Sequence, residues 1–187
     1  MRLALLGKPG AGKGTQGVRL ARLLGAPLIS TGELLRRRAE RDGPGAADLA
    51  DLLARGELVP DDLVVSIVND AVASAAASAA GGYILDGFPR TLAQARHSDT
   101  PVLDAVVHVD VPDDVALRRI AERAAGRTDD ARRDATERRL QCFRSETEPV
   151  LNFYRRRGIL TTVDGTQPPE QVTEAILQAL PVPEGEV

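Results

Sequence analysis

The densest chemistry in the sequence lies at Gly7-Lys8-Pro9-Gly10-Ala11-Gly12-Lys13-Gly14-Thr15. Gly7 and Gly12, with four residues between them and Lys13 directly after, have the spacing of a phosphate-binding loop. Residues without a Cβ let successive backbone N–H groups turn inward onto phosphate oxygens. A following helix N-terminus adds partial positive charge, and a lysine amine at the end of the loop can bridge two phosphates. The two lysines of the chain, Lys8 and Lys13, both fall here, while every other fixed cation is arginine. Compositional bias therefore does not account for Lys13; a demand of the chemistry does. The general motif has Ser or Thr directly after the lysine, whereas here Gly14 intervenes and Thr15 follows.

A cradle of this kind works only between a strand and a helix, and the flanking pattern supplies both. Residues 2–6 (RLALL) are a short apolar run, and in residues 15–24 Val18, Leu20, Leu23 and Leu24 recur at near-helical spacing. Further strands are expected at 27–29, 83–85, 105–111 and 159–163. Ser30 and Thr31 are candidate helix caps before an interrupted helical stretch over 30–60, broken at Asp42-Gly43-Pro44-Gly45. Helices are expected over 61–80, over 113–125 with acidic residues in its first turn, from about 134 to 157, and over 168–180. The polar run 126–133 reads as a loop, and 181–187 as a frayed tail. Strand and helix alternate five times, which implies an α/β fold: a five-stranded parallel sheet between two helical layers.

Bulk composition narrows the alternatives. A chain of 187 residues with 43% hydrophobic content buries one good core, so 1–187 is expected to be a single domain with small insertions. With 3% aromatics and no Trp, that core must be built from Leu, Val, Ile and Ala. The net charge of −3 offers no nucleic-acid or anionic-membrane partner, and the arginine clusters lack interleaved aromatics. No apolar stretch is long enough to span a bilayer, and Met1-Arg2 leads into a strand without a leader pattern, so the expected location is the cytoplasm. Cys142 is the one cysteine, which leaves no disulfide framework or multi-cysteine zinc site and suggests a packing role.

The run GxPGAGKGT with Gln16 after it, the segment Ser30-Thr31-Gly32-Glu33-Leu34-Leu35-Arg36, and Leu85-Asp86-Gly87-Phe88-Pro89-Arg90-Thr91 together resemble the adenylate kinase family. An arginine-rich segment and a late Val163-Asp164-Gly165-Thr166 follow in the same order, so the resemblance covers most of the chain. It implies a P-loop kinase domain with a small helical flap for the acceptor nucleotide over 30–59 and a short lid over 126–133, without the longer zinc-bearing lid and hence without structural zinc. It implies Mg²⁺-dependent transfer of a phosphoryl group from ATP to AMP, with no covalent enzyme intermediate. Several arginines must then converge on the phosphates, because the guanidinium fork binds phosphate oxygens bidentately.

Position by position, the resemblance implies catalytic roles for Lys13, Arg90, Arg123, Arg127 and Arg139. ATP would be held by Gly10, Ala11, Gly12, Lys13, Gly14, Thr15, Arg119, Arg123, Gly165 and Gln167. AMP would be held by Thr31, Arg36, the backbone of Glu57, Leu58 and Val59, by Gly87, Phe88, Pro89 and Arg90, and by Arg127 and Arg139. Gln94 would read the adenine edge, since a side-chain amide donates and accepts at once. Asp86 would serve Mg²⁺ through water and Thr15 would assist; a cap at the strand end is the plainer role for Asp86. Asp129 and Asp130 would orient the lid arginines. Spacing from Arg127 selects Arg138 as the next phosphate ligand, whereas Leu140 and the helix pattern select Arg139, the reading adopted. Gln167 stands where relatives often carry lysine, and the segment between Gln94 and Asp104 is short. Arg37, Arg38, Arg118, Arg132, Arg133 and Arg155 to Arg157 read as solvated surface.

Three rival readings remain. A UMP or CMP kinase is disfavoured by Thr31 with Gln94. A GTP-binding switch would need an Asn-Lys-x-Asp segment, which a chain without lysine beyond position 13 does not have. A non-catalytic nucleotide-binding relative would keep the loop and lose transfer. A closing lid and flap need free surface, so a monomer is expected.

Overall fold

The structure is a computed structural model that describes residues 1–41, 43–76, 82–123 and 133–181. Five strands, β1 (Arg2–Leu6), β2 (Leu28–Ser30), β3 (Tyr83–Asp86), β4 (Ala105–Asp110) and β5 (Leu160–Asp164), form one sheet in the order β2-β3-β1-β4-β5. Every neighbouring pair is parallel. Helices α1 (Lys13–Leu24), α6 (Asp113–Arg123) and α9 (Pro169–Ala179) cover one face. The other face carries α2 (Thr31–Ala39), α3 (Ala46–Arg55), α4 (Asp61–Ala76), α5 (Leu92–Arg96) and α8 (Glu148–Arg156). α7 (Arg133–Cys142) leads into α8.

Side chains in a strand point alternately to opposite faces, and β1 shows why so short a run holds the centre. Leu3 and Leu5 enter the core beneath α1, α6 and α9, while Ala4 and Leu6 enter the core on the other face. Each is at most 1% exposed. Burying a leucine side chain contributes about 1.5–3 kcal/mol. The ion pair beside it, Arg2 Nε to Asp104 Oδ1 at 3.0 Å, joins side chains 39% and 33% exposed and contributes about 0.2–1 kcal/mol. Apolar burial therefore fixes β1, and with it the loop that follows.

Most expected elements are present, with three differences. Ser30 precedes α2 without making a side-chain capping bond, and Thr31 is already inside the helix. The short α5 was not apparent in the sequence; it is capped by Thr91, whose hydroxyl oxygen accepts the Gln94 N–H at 3.0 Å. The long helix expected to run to about 157 is interrupted by a π-helical turn at Phe143–Thr147. Pro149 has no N–H for the carbonyl of Ser145, so the regular ladder cannot continue there. Helix α4 is described to Ala76; the expected residues 77–80, and 126–132 of the expected lid 126–133, lie outside the described residues, while Arg133 already belongs to α7. Among the described residues no helix is long and apolar enough to cross a membrane.

Candidate active site

β1 and β3 lie side by side and both end at the same edge of the sheet, where connections to α1 and α5 leave. In an open parallel sheet this edge is where ligands bind. Here a cavity of about 250 Å³ opens, walled by the 7–14 loop, by Asp86, Gly87 and Arg90 after β3, by Arg36 of α2, by Glu57 and Leu58, and by Arg139 of α7.

The loop's shape is dictated by its neighbours. Gly10 has φ +82°, and a Cβ there would stand 2.4 Å from the Ala116 carbonyl oxygen, so only glycine lets the loop lie against α6. Lys13 Nζ reaches back across the loop to the carbonyl oxygens of Gly7 at 2.7 Å and Lys8 at 2.8 Å. Helix α1 starts at Gly12 with no side-chain cap and no acidic residue in its first turn, whereas α4 and α6 each start with two aspartates. Its N–H groups and positive dipole end are thus left for an anion from outside. Gly10, Gly12, Lys13 and Gly14 face the cavity; Ala11 is 1% exposed and packs inward, and Thr15 lies exposed on the first turn away from it.

Lys8 serves the loop from outside. Its Nζ donates to the Val111 carbonyl at 3.0 Å and pairs with Asp113 Oδ1 at 2.7 Å, and Asp113 also binds Arg144 of the π-helical turn. These two cations hold the Asp113 carboxyl below the usual range. Gln16 is likewise structural: Nε2 donates to the Pro169 carbonyl at 3.0 Å and Oε1 accepts from Thr173 Oγ1 at 2.7 Å, joining α1 to α9.

On the opposite wall, Arg90 Nε donates to the Gly87 carbonyl at 2.8 Å. Burial pulls the Arg90 pKa down; Asp86 opposes this, and Arg139 and Arg36 add to it. An arginine keeps its proton regardless, so cations crowded around it create a field that awaits an anion. Arg139 lines the cavity, with Nη2 3.4 Å from the Leu53 carbonyl, whereas Arg138 is not part of the lining and pairs with Glu57 Oε1 at 2.7 Å. Arg55, first in effect, and Arg138 lower the Glu57 pKa.

Other expected residues stand behind the wall. Phe88 is fully buried, Pro89 and Val59 are buried, and Gln94 is 2% exposed, and none of the four is among the residues that line the cavity. Thr31 is 1% exposed and its hydroxyl has no hydrogen-bond partner among the described residues. Arg119 lies on the outer side of the loop, with Nη1 2.9 Å from the Gly165 carbonyl and 3.4 Å from that of Ala11. Beside it, Asp164 accepts from Thr166 N at 2.8 Å, Thr166 Oγ1 at 2.7 Å and Gln167 Nε2 at 2.9 Å, and these bonds bring its pKa down to about 2. Arg119, Gly165 and Gln167 thus cluster away from the cavity, next to the loop. Arg123 ends α6, and its side chain, like Arg127, Asp129 and Asp130, lies outside the described residues.

Among the cavity residues not foreseen are Cys142, the last residue of α7, and Phe143 and Thr147 of the π-helical turn. Thr147 Oγ1 donates to the Arg90 carbonyl at 2.9 Å, so this turn props the buried arginine. A π insertion shifts the register of the helix, so periodicity alone would not reveal it; Pro149 was the available signal.

A glycine loop with its lysine, opening from the centre of a parallel sheet and faced by three arginines across one cavity, defines a P-loop nucleotide kinase. The chain belongs to the adenylate kinase family, whose model, described as adenylate kinase, matches residues 5–159. It is 43% identical over 193 residues to an adenylate kinase of Nitrobacter hamburgensis, covering 96% of this chain and 92% of that one. It is 41% identical over 189 residues to one of Methylobacterium nodulans, covering 94% of each. A third, from Xanthomonas campestris, is 42% identical over 188 residues, covering 96% of this chain and 99% of its own.

Proposed function

We propose that the chain catalyses reversible transfer of the terminal phosphoryl group of ATP to AMP, giving two ADP. The observation that carries this reading is the convergence of Lys13, Arg36, Arg90 and Arg139 on one cavity. Phosphoryl transfer needs positioning and charge stabilisation more than covalent chemistry, and these four groups are placed to supply both. Lys13 and the open end of α1 hold the donor phosphates, while Arg36, Arg90 and Arg139 hold the acceptor phosphate in line with them. Arg119, Gly165 and Gln167 flank the donor base. Thr31 and the backbone of Glu57 to Val59 border the acceptor base, which Gln94 reads. Arg123 and Arg127 close on the phosphates from the lid side, with residues 126–133 as lid and 30–59 as acceptor flap; closure excludes water, the competing acceptor.

Asp86 fits the Mg²⁺ that accompanies ATP. Its Oδ2 would lie 3.7 Å from a Cβ at Gly14, so its carboxylate faces the loop. Mg²⁺ prefers hard oxygen ligands, keeps several waters and is commonly held by one or two carboxylates together with phosphates. When bound it neutralises charge between neighbouring phosphates. Asp86 would hold it through water, with Thr15 entering only by turning its hydroxyl toward the loop. We place this activity in a monomer in the cytoplasm, where both nucleotides are available.

Phosphorus NMR of the protein with Mg²⁺, ATP and AMP tests the reading: ADP resonances should grow as both substrates decline. Lys13→Ala should slow this by about 10²–10³-fold, the usual cost of removing one transition-state charge contact. Unchanged transfer in that variant would refute the assignment.

A further inference from the structure

Behind the arginine wall, the Gln94 side chain is held at both ends. Its Oε1 accepts the backbone N–H of Arg90 at 2.7 Å, and its Nε2 donates to Asp61 Oδ1 at 2.7 Å. The same Asp61 oxygen accepts from Thr91 Oγ1 at 3.0 Å, and Thr91 Oγ1 in turn accepts the Gln94 backbone N–H at 3.0 Å. Amide orientation is usually ambiguous, but here the partners decide it: a backbone N–H only donates and a carboxylate only accepts. Turning the amide over would set two donors against each other at Arg90 and two acceptors against each other at Asp61. With Gln94 2% exposed, no water is at hand to relieve either conflict.

We infer that Asp61 is a positioning residue that, together with the backbone N–H of Arg90, sets acceptor-base specificity by locking the polarity of the Gln94 amide. This rests on the proposed reading of Gln94 as the group that meets the acceptor base. A side-chain amide has two donor hydrogens and two acceptor lone pairs. Arg90 and Asp61 take one of each, and the remaining N–H and lone pair are fixed in sense. That pair matches a 6-amino purine, which offers an acceptor at N1 and a donor at the exocyclic amine. A 6-oxo purine offers the reverse, a donor at N1 and an acceptor at O6, and is matched only by the inverted amide, which Asp61 and the Arg90 N–H both oppose. Discrimination of this kind comes from leaving polar groups unpaired, which costs far more than losing a methylene contact.

The test compares AMP with inosine monophosphate (IMP), which differs at just these two positions, as acceptors for wild type, Asp61→Asn and Asp61→Ser. Asn and Ser both keep a residue suited to a helix start, yet each can donate or accept and so removes the Asp61 half of the lock, leaving the Arg90 N–H as the group that opposes inversion. Both variants should lower the ratio of kcat/KM for AMP to that for IMP by about tenfold, through a higher KM for AMP and a gain for IMP. The KM for ATP should stay within about twofold, as for a distant independent site. In a Gln94→Ala background, Asp61→Asn should leave the ratio unmoved, because Asp61 acts through that amide. A merely structural role would be rescued by the isosteric Asn and would depress AMP and IMP turnover alike; either result overturns the inference. A wild type that does not prefer AMP to IMP overturns the reading of Gln94 itself, whereas a wild-type preference that the variants retain overturns only the part assigned to Asp61.

Discussion

Arg138 and Arg139 are adjacent in α7 yet serve different partners: Arg139 lines the cavity with Arg90, whereas Arg138 is not part of its lining and pairs with Glu57. Successive residues of a helix point about 100° apart, so only one of the two can enter the site. Arg139→Ala should lower kcat/KM by about 10²–10³-fold. Arg138→Ala removes a solvent-screened ion pair, and should change kcat/KM less than about fivefold. Steady-state kinetics of both variants, with circular dichroism to verify folding, separates them; the opposite order would reverse the assignment.

The unpartnered Thr31 hydroxyl points to a trade between stability and binding. A buried hydroxyl without a partner costs about 1–3 kcal/mol, so a group that AMP supplies is its natural complement. Thr31→Val, which keeps the shape, should leave the free protein as stable or raise its Tm by about 2–6 °C. It should also raise the KM for AMP about tenfold while sparing that for ATP. Thermal denaturation and two-substrate kinetics on the same preparation check this; a stabilised variant with an unchanged KM for AMP would remove Thr31 from the acceptor site.

Gly56 joins the acceptor side of the cavity to α7. Its φ is +71°, and a Cβ there would stand 2.6 Å from the Ala135 carbonyl oxygen and 3.1 Å from Arg139 Cγ. Gly56→Ala therefore strains the backbone and pushes α3 from α7 at the arginine that faces the site. The strain alone costs about 1–3 kcal/mol, or about 2–10 °C in Tm. The variant should also lose activity beyond what its folded fraction explains, because Arg139 is displaced. A Tm within about 1 °C of wild type would contradict this packing.

His108 sits on β4, 8% exposed and stacked on Phe143 of the cavity wall, with ring centroids 6.1 Å apart. Burial lowers its pKa below the ordinary 6.5; Asp110 opposes this, and Lys8, Lys13 and Arg155 reinforce it. The unfolded chain then binds a proton that the folded chain refuses, so stability is unaffected above 6.5 and declines as pH falls from there through the lowered native value. In His108→Gln the part of the acid-side decline that begins near pH 6.5 should vanish, while the decline from carboxylates at lower pH persists. Urea denaturation between pH 8 and 5 measures the difference in slope, and identical slopes would contradict a buried neutral His108.

What could be read from the sequence was what is written locally. RLALL followed by glycines and Lys13 specifies strand, cradle and helix within a few residues, and β1 and α1 are where that pattern puts them. Gln94 shows the limit: the chemistry of its amide was legible, but not that Asp61, thirty-three residues earlier, grips it. Thr147 was invisible for a related reason. Its contact with Arg90 depends on one π-helical turn, and the small signal for that turn, Pro149, lies within a stretch of otherwise regular helical spacing. The choice between Arg138 and Arg139 hinged on register in a helix whose start borders residues outside the described set, and the packing of Gly56 on Ala135 fixes which arginine turns inward.

The central claim is that the loop around Lys13 and the wall of Arg36, Arg90 and Arg139 are two halves of one two-nucleotide site. Calorimetric titration with two adenosines joined by a five-phosphate bridge tests it most directly. The account predicts one ligand per chain, affinity at least about 100-fold tighter than ATP or AMP alone, as expected when two sites are bridged, and loss of most of that gain in Arg139→Ala. A bridged ligand that binds no more tightly than ATP, and that leaves AMP binding undisturbed, would contradict it.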